Sequence, residues 1–303
     1  MTGTEIITYI ANNVDTFFSP VNIVTGAVFT SLFLRKNTKI QEFEKIKAGK
    51  LNEVADDLLS SGKMSYTEYY KAKNFLAIAK KADEINKAEN VELSEESYNF
   101  DWFIRLYENA GNVSEEQIQE LWARILANEI KKPNSYSLLT LEKMKNMGKQ
   151  EADLFKKIVS HCIFRGYNGF LPAYDQYTES CGISYSEIMY LSEHGLMYND
   201  AMLVLELPVV SEGDIAFVSE EQLIYIKPEN EQKTKVKIKQ FPLTSTGREI
   251  ATLIDDKLSA ENFIKFAKCI KENDKKVDVK VHKIVKMDEQ GITYDDSDIL
   301  QGE

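Results

Sequence analysis

The strongest hydrophobic pattern in the chain lies between residues 114 and 147 and predicts two consecutive helices. Apolar residues there recur at the spacing of one helix face. They are Ile118, Leu121, Trp122, Ile125 and Leu126. Ser114 and Gln117 match a capping box at the beginning, and Pro133 ends the first helix. We therefore expect a helical hairpin in this stretch.

The polar residues of the first of these helices allow two interpretations. Arg124, Asn128 and Glu129 are the residues concerned. One interpretation is a solvated face whose hydrogen bonds fix the turn that follows. The other is a polar interaction site. Together with Trp122, these residues are our interaction candidates in the hairpin.

An apolar stretch without charged residues occupies residues 17–34. A helix that spans a bilayer needs about 20 apolar residues, and this stretch offers roughly 18. Pro20 and several hydroxyl side chains interrupt it. One interpretation is a helix that is buried or faces another copy of the chain, and the other is membrane contact. The candidate contact residues are Phe17, Phe18, Gly26, Phe29 and Phe33.

Further helical patterns lie between the apolar stretch and the hairpin, and after the hairpin. Residues 37–92 carry apolar positions at helical spacing, and Ser65 with Glu68 matches a capping box. We assign them to a long helical hairpin or arm, which follows an apolar N-terminal segment at residues 1–36. Residues 93–182 are assigned to one helical core, because no boundary within the helical stretch resembles a linker.

The pattern changes to predicted strands after Gly166. Apolar and β-branched residues at 203–210 and 221–227 predict strands, and residues 236–241 alternate lysine with valine and isoleucine. This alternation indicates a half-exposed strand. The lysines from Lys233 to Lys239 form the one local basic strip, which a solvated sheet face explains. Residues 259–303 predict a small α/β element.

The order of elements at residues 183–258 resembles a winged-helix module. A helix is followed by a Gly-Leu pair, a hairpin and the run LTSTGREI. A DNA-reading version carries Arg or Lys on its recognition helix. The candidate helix here offers Ser186, Glu187 and Glu193, so we favour protein contacts. The chain as a whole is expected to be mainly α. N-terminal helices and a helical bundle would precede a winged-helix-like α+β C-terminal region.

Composition and charge limit the chemistry that we expect. The formal charge is −11 and the pI about 5.0, which disfavours a nucleic-acid partner. Three cysteines without metal-like spacing indicate reduced thiols in a cytoplasmic protein, and the first residues lack a signal-peptide pattern. No phosphate-binding glycine loop or zinc-ligand spacing occurs, and no motif nominates a histidine-based triad. We therefore expect no catalytic residue, no cofactor, no metal ion and a non-enzymatic role.

Residues 100–155 resemble an uncharacterised bacterial family built around a helical hairpin with the pattern ELWARILANE…P…S..TL. The runs MSYTEYYKAKNFLAIAKKADE and FPLTSTGREIATLI also look like that family. The chain is similar, too, to abortive-infection alpha-like proteins, which share a helical L-AN…P core. The family offers no established catalytic residues to transfer to this chain.

The resemblance implies a bacterial cytoplasmic protein with a part in phage defence. We expect a non-enzymatic effector that forms a homo-oligomer and binds a phage or host protein. Residues 17–34 would contact a membrane on activation. The alternative is a winged-helix regulator that binds DNA, and a hydrolase with an unfamiliar site is the third interpretation.

Overall fold

The computed structural model describes residues 51–89, 99–210, 213–230, 233–256, 258–288 and 290–301. The chain divides into two compact units, whose boundary in sequence lies between Ala152 and Asp153. Within the described ranges the first unit is helical, and the second contains both sheets. None of the helices in these ranges has the length and apolar character that a membrane crossing requires.

The described helices of the first unit are α1 (Leu51–Ser60), α2 (Tyr66–Ala88), α3 (Phe100–Ala110), α4 (Glu116–Lys131) and α5 (Leu138–Lys145). A further helix, α6 (Lys149–Val159), begins in this unit and ends in the second. The two consecutive helices predicted from the strongest hydrophobic pattern are α4 and α5.

Capping side chains fix where some of these helices begin. Ser65 and Glu68 form the predicted capping box of α2, with the Ser65 backbone N–H donating to the Glu68 carboxylate at 2.8 Å. The predicted box at Ser114 and Gln117 is wrong. The residue before α4 is Glu115, and its side chain makes no capping hydrogen bond.

Aromatic side chains form much of the core of the first unit. The Phe75 ring on α2 lies edge-on to Phe103 and Tyr107 on α3, with centroid separations of 5.7 and 5.0 Å. Such ring pairs add about 0.5–1.5 kcal/mol to the free energy of burying their surface. Trp122 on α4 is fully buried. Through these side chains α2 packs against α3, and α2 also packs against α4.

The second unit continues with β1 (Ile163–Arg165), β2 (Asn168–Pro172), α7 (Asp175–Ser180), α8 (Tyr185–Glu193), β3 (Val204–Val209), β4 (Asp214–Val218), β5 (Gln222–Pro228), β6 (Thr234–Pro242), α9 (Ser245–Ala251), α10 (Ala260–Asn273), β7 (Val277–Asp288) and β8 (Gly291–Tyr294). A short 3-10 helix at Ile299–Gln301 follows. Thr244 is the N-cap of α9, and its side chain accepts a hydrogen bond from the Gly247 N–H at 3.0 Å.

Two four-stranded antiparallel sheets organise the second unit. The first has the order β1-β2-β6-β3, and the second has the order β4-β5-β7-β8. The chain therefore leaves the first sheet after β3 and returns to it after β5. Strand β6 has the predicted two-residue period, because Val236 and Ile238 are buried while Lys235 and Lys237 are exposed.

Three phenylalanine rings join the two sheets to a helix. Phe170 lies on β2, Phe217 on β4 and Phe266 on α10, and all three are almost fully buried. Their centroids are 5.1 to 6.1 Å apart, and each pair is edge-on. The core of this unit therefore lies where the first sheet, the second sheet and α10 meet.

The expectation of a mainly α protein is wrong, because the chain has an α+β fold. About 49% of the described residues are helical and 23% are in strands, and the C-terminal half contains both sheets. The sequence pattern does not predict β1, β2 or β4, since strands of three to five residues are too short to show a clear period. The prediction of a winged-helix-like region is wrong as well, because β4 and β5 join β7 in the second sheet.

Removing one ring from the phenylalanine core should destabilise the second unit strongly. Phe266→Ala deletes a fully buried side chain, and such truncations cost about 3–5 kcal/mol of unfolding free energy. Urea denaturation followed by circular dichroism measures the loss. Val285→Ala, at an exposed position of β7, is the control and should cost less than about 0.5 kcal/mol. Equal losses in the two variants would show that the three rings do not hold this unit together.

Candidate functional site

The structure places the residues predicted from the sequence in different surroundings. Outside the described residues lie Phe17, Phe18, Gly26, Phe29 and Phe33. Trp122 is a buried core side chain of α4. Arg124 is partly exposed, and its Nε lies 3.5 Å from the carboxylate of Glu120. Asn128 and Glu129 lie together near the end of α4, beside the turn that leads to α5.

The carboxylate of Glu129 organises this turn. Glu129 is only 3% exposed, and it accepts hydrogen bonds from the backbone N–H of Asn134 at 2.6 Å and of Ser135 at 3.0 Å. Asn134 has a φ of 64°, a left-handed conformation that asparagine tolerates better than most residues. Charge-assisted hydrogen bonds offset the burial of the carboxylate and hold the turn in this conformation.

Two further hydrogen bonds join the turn to the neighbouring helices. Asn128 Nδ2 donates to the hydroxyl of Tyr136 at 2.8 Å. The indole N–H of Trp102 on α3 donates to the carbonyl of Tyr136, also at 2.8 Å. Asn128 and Glu129 therefore act together in fixing one turn. These contacts favour the interpretation in which the polar residues of α4 stabilise the turn.

The three cysteines of the second unit lie near one buried tyrosine. The hydroxyl of Tyr177 donates to the carbonyl of His161 at 2.8 Å. Burial raises the pKa of Tyr177, and each of the three cysteines raises it further once its thiol is ionised. Burial also raises the pKa of all three thiols. The thiols are therefore protonated at neutral pH, a state that disfavours nucleophilic chemistry.

A site of a different kind surrounds α8. A capping box begins this helix, with the Ser184 backbone N–H donating to the Glu187 carboxylate at 2.8 Å. Ile188 and Leu191 are buried on one side of the helix. An adjacent face of the helix exposes apolar side chains to solvent, and more of them follow in the loop that leads to β3.

We call these exposed side chains the apolar patch, which consists of Tyr185, Met189, Tyr198 and Met202. Tyr185 and Tyr198 are each 54% exposed, and Met202 is 84% exposed. The hydroxyl of Tyr185 donates to the carbonyl of Asn199 at 3.1 Å, which joins α8 to the loop. Neighbouring apolar side chains exposed to water are typical of a contact surface, because covering them gains about 25 cal/mol per Å².

A row of lysines lies on the first sheet. Lys235, Lys237 and Lys239 alternate with buried residues of β6, so all three project from its exposed face. We call them the lysine row. Glu206, on β3 opposite Lys237, lies 3.1 Å from the Nζ of Lys235 and 3.4 Å from that of Lys237. Hydrogen bonds from these two lysines lower the pKa of the Glu206 carboxyl, which is therefore ionised at neutral pH.

Residues 61–267 match the family described as protein of unknown function, DUF2806, and this range exceeds half of the chain. The chain belongs to the DUF2806 family. The expected membership of an uncharacterised domain family is thereby confirmed. No curated protein and no solved structure matches the chain. The part that matches DUF2806 includes the Glu129 turn, the apolar patch and the lysine row.

Sequence reasoning missed the apolar patch of this DUF2806 protein. Part of it had a signal, because Tyr185 and Met189 are four residues apart and therefore neighbours on one side of a helix. The other two members lie in a loop, where no periodicity separates exposed from buried residues. Within the described ranges, no group of three or more His, Cys, Asp or Glu side chains is arranged to hold a metal ion.

Replacing the buried carboxylate of the turn should destabilise the protein. Glu129→Gln keeps the shape but removes the charge and presents an amide N–H₂ to backbone donors. We expect a loss of about 1–3 kcal/mol in unfolding free energy, measured by urea denaturation. Glu120→Gln, on the same helix but partly exposed, is the matched control and should cost less than about 1 kcal/mol. A loss in Glu129→Gln no larger than the control's would rule out the turn-fixing role.

The thiols should react slowly with iodoacetamide in the folded protein at neutral pH. Cys162 and Cys269 are buried, whereas Cys181 is partly exposed, so Cys181 should be alkylated first. Urea should make all three react quickly, because unfolding removes the burial that raises their pKa values. Peptide mass spectrometry measures each site, and Cys181→Ser should abolish the fastest native modification. Rapid alkylation of Cys162 in the native protein would refute the assigned burial.

Proposed function

We propose that this DUF2806 protein is a non-enzymatic interaction protein that binds another protein through the apolar patch. The observation that carries the proposal is the exposure of Tyr185, Met189, Tyr198 and Met202 around one hydrogen-bonded junction of helix and loop. Aromatic residues and methionine are enriched in protein–protein interfaces, where a few such side chains supply most of the binding free energy. A partner would cover the apolar area that the chain otherwise leaves in water.

The biological setting of the proposal comes from the sequence. The resemblance of residues 100–155 to abortive-infection alpha-like proteins supports an effector in antiphage defence. We propose a bacterial cytoplasmic protein that assembles with itself and with a phage or host protein. Membrane contact through residues 17–34 stays a prediction, because that segment lies outside the described residues.

The second candidate function is that of a DNA-binding regulator, and the lysine row is the observation that favours it. Ammonium groups on an exposed sheet face can neutralise backbone phosphates. The exposed side of α8, however, offers Ser186, Met189 and Glu193 instead of the Arg or Lys of a base-reading helix. Protein binding is therefore our first choice.

Charge inserted into the apolar patch should abolish partner binding. The full-length protein is crosslinked in its host cells, with and without phage infection, and mass spectrometry quantifies what it captures. We expect the wild type to capture a protein partner or a second copy of the chain. The double variant Met189→Asp, Met202→Asp should capture at least about tenfold less of it. The matched control Val285→Asp, Met287→Asp changes two exposed side chains of β7 and should retain that protein.

Equal capture by the wild type and the patch variant would refute the proposed contact surface. Recovery of nuclease-sensitive DNA in place of a protein would favour the regulator instead. Sedimentation velocity of the purified wild type and patch variant then shows whether a second copy is the partner. Infection survival of cells that make each variant tests the link between this contact and phage defence.

A further inference from the structure

The apolar patch and the lysine row belong to one continuous surface. Phe241, Lys239, Lys237 and Lys235 occupy alternate positions of β6, so they share one face of the first sheet. The ring of Tyr185 lies against that of Phe241, with centroids 6.3 Å apart. The apolar patch therefore begins where the lysine row ends.

The size of this surface suits a short extended segment of a protein. Between Phe241 and Lys235 the strand rises about 20 Å, which an extended chain covers with about six residues. Val204 on β3 pairs with Lys239 and is itself exposed, so an apolar side chain lies within the row. Apolar and positive groups therefore lie side by side along the surface.

The lysine row carries more positive charge than its surroundings neutralise. Lys235 and Lys237 share the single carboxylate of Glu206, so one negative charge offsets the three positive charges of the row. Lys239 forms no ion pair with any other part of the chain that the structure describes. The row is therefore a local positive strip on a chain whose overall formal charge is −11. Opposite charge on a partner would orient that partner on this surface.

We propose that this surface binds an acidic protein segment with apolar anchors. Its carboxylates would pair with the lysine row, and its apolar side chains would cover the apolar patch. The inference rests on the proposed function and names the chemistry of its partner. A nucleic acid fits less well, because Met189 and Met202 match neither phosphates nor base edges, and because a net charge of −11 repels a long polyanion.

Fluorescence anisotropy with the purified full-length chain tests the inference. The probe is a short labelled peptide in which aspartate alternates with leucine or phenylalanine. Matched peptides carry asparagine in place of aspartate, or serine in place of the apolar residues. Single-stranded and double-stranded oligonucleotides of similar charge complete the set. We expect the acidic apolar peptide to bind, and each matched peptide to bind at least about tenfold more weakly.

Removing the charge of the lysine row should weaken binding of the acidic apolar peptide by at least about tenfold and reduce the salt dependence of that binding. The test variant is Lys235→Gln, Lys237→Gln, Lys239→Gln. The control removes the same charge from exposed lysines elsewhere in the second unit, in Lys275→Gln, Lys276→Gln, Lys283→Gln. The single variant Lys239→Gln should also weaken peptide binding. Because it breaks no ion pair of the described structure, it shows the effect of charge even if the triple variant misfolds.

Three results would overturn the inference. They are equal binding by the test and control variants, equal binding of the asparagine peptide, and tighter binding of an oligonucleotide. The proposed function is judged separately, by loss of the host partner in Met189→Asp, Met202→Asp. If that partner is lost while the lysine variants bind the peptide normally, protein binding stands and only the acidic character of the segment is refuted.

Discussion

Burial of three phenylalanine rings is the contact on which the second unit depends. Phe170, Phe217 and Phe266 come from β2, β4 and α10, so no short segment of the chain can form this core alone. Because β2 and β4 belong to different sheets, the rings are covered only when both sheets are present. We therefore expect the two sheets and α10 to fold cooperatively, since each supplies part of the cover that the others need.

In the first unit, a buried charge is the corresponding constraint. An ionised carboxylate in a protein interior costs several kcal/mol unless hydrogen bonds compensate it. Glu129 meets this requirement with the backbone N–H groups of Asn134 and Ser135, in a turn that Tyr136 joins to α3 and α4. Glu129, the last residue of the ELWARILANE run, is therefore a determinant of this turn.

Local features of the sequence were sufficient to locate several elements. The capping box at Ser65 predicted the beginning of α2, because a cap needs only a side chain and the N–H groups of the next few residues. The lysine alternation predicted β6 and its exposed face, since a strand has a two-residue period.

The sequence by itself thus determined most helices, the long strands and the solvent face of β6. Only the tertiary structure decided the fold class, because β1, β2 and β4 are short and their partners depend on chain segments far away. It also decided the apolar patch, since exposure of Tyr198 or Met202 depends on which elements pack over the loop. Periodicity describes one element at a time, whereas burial results from the arrangement of several.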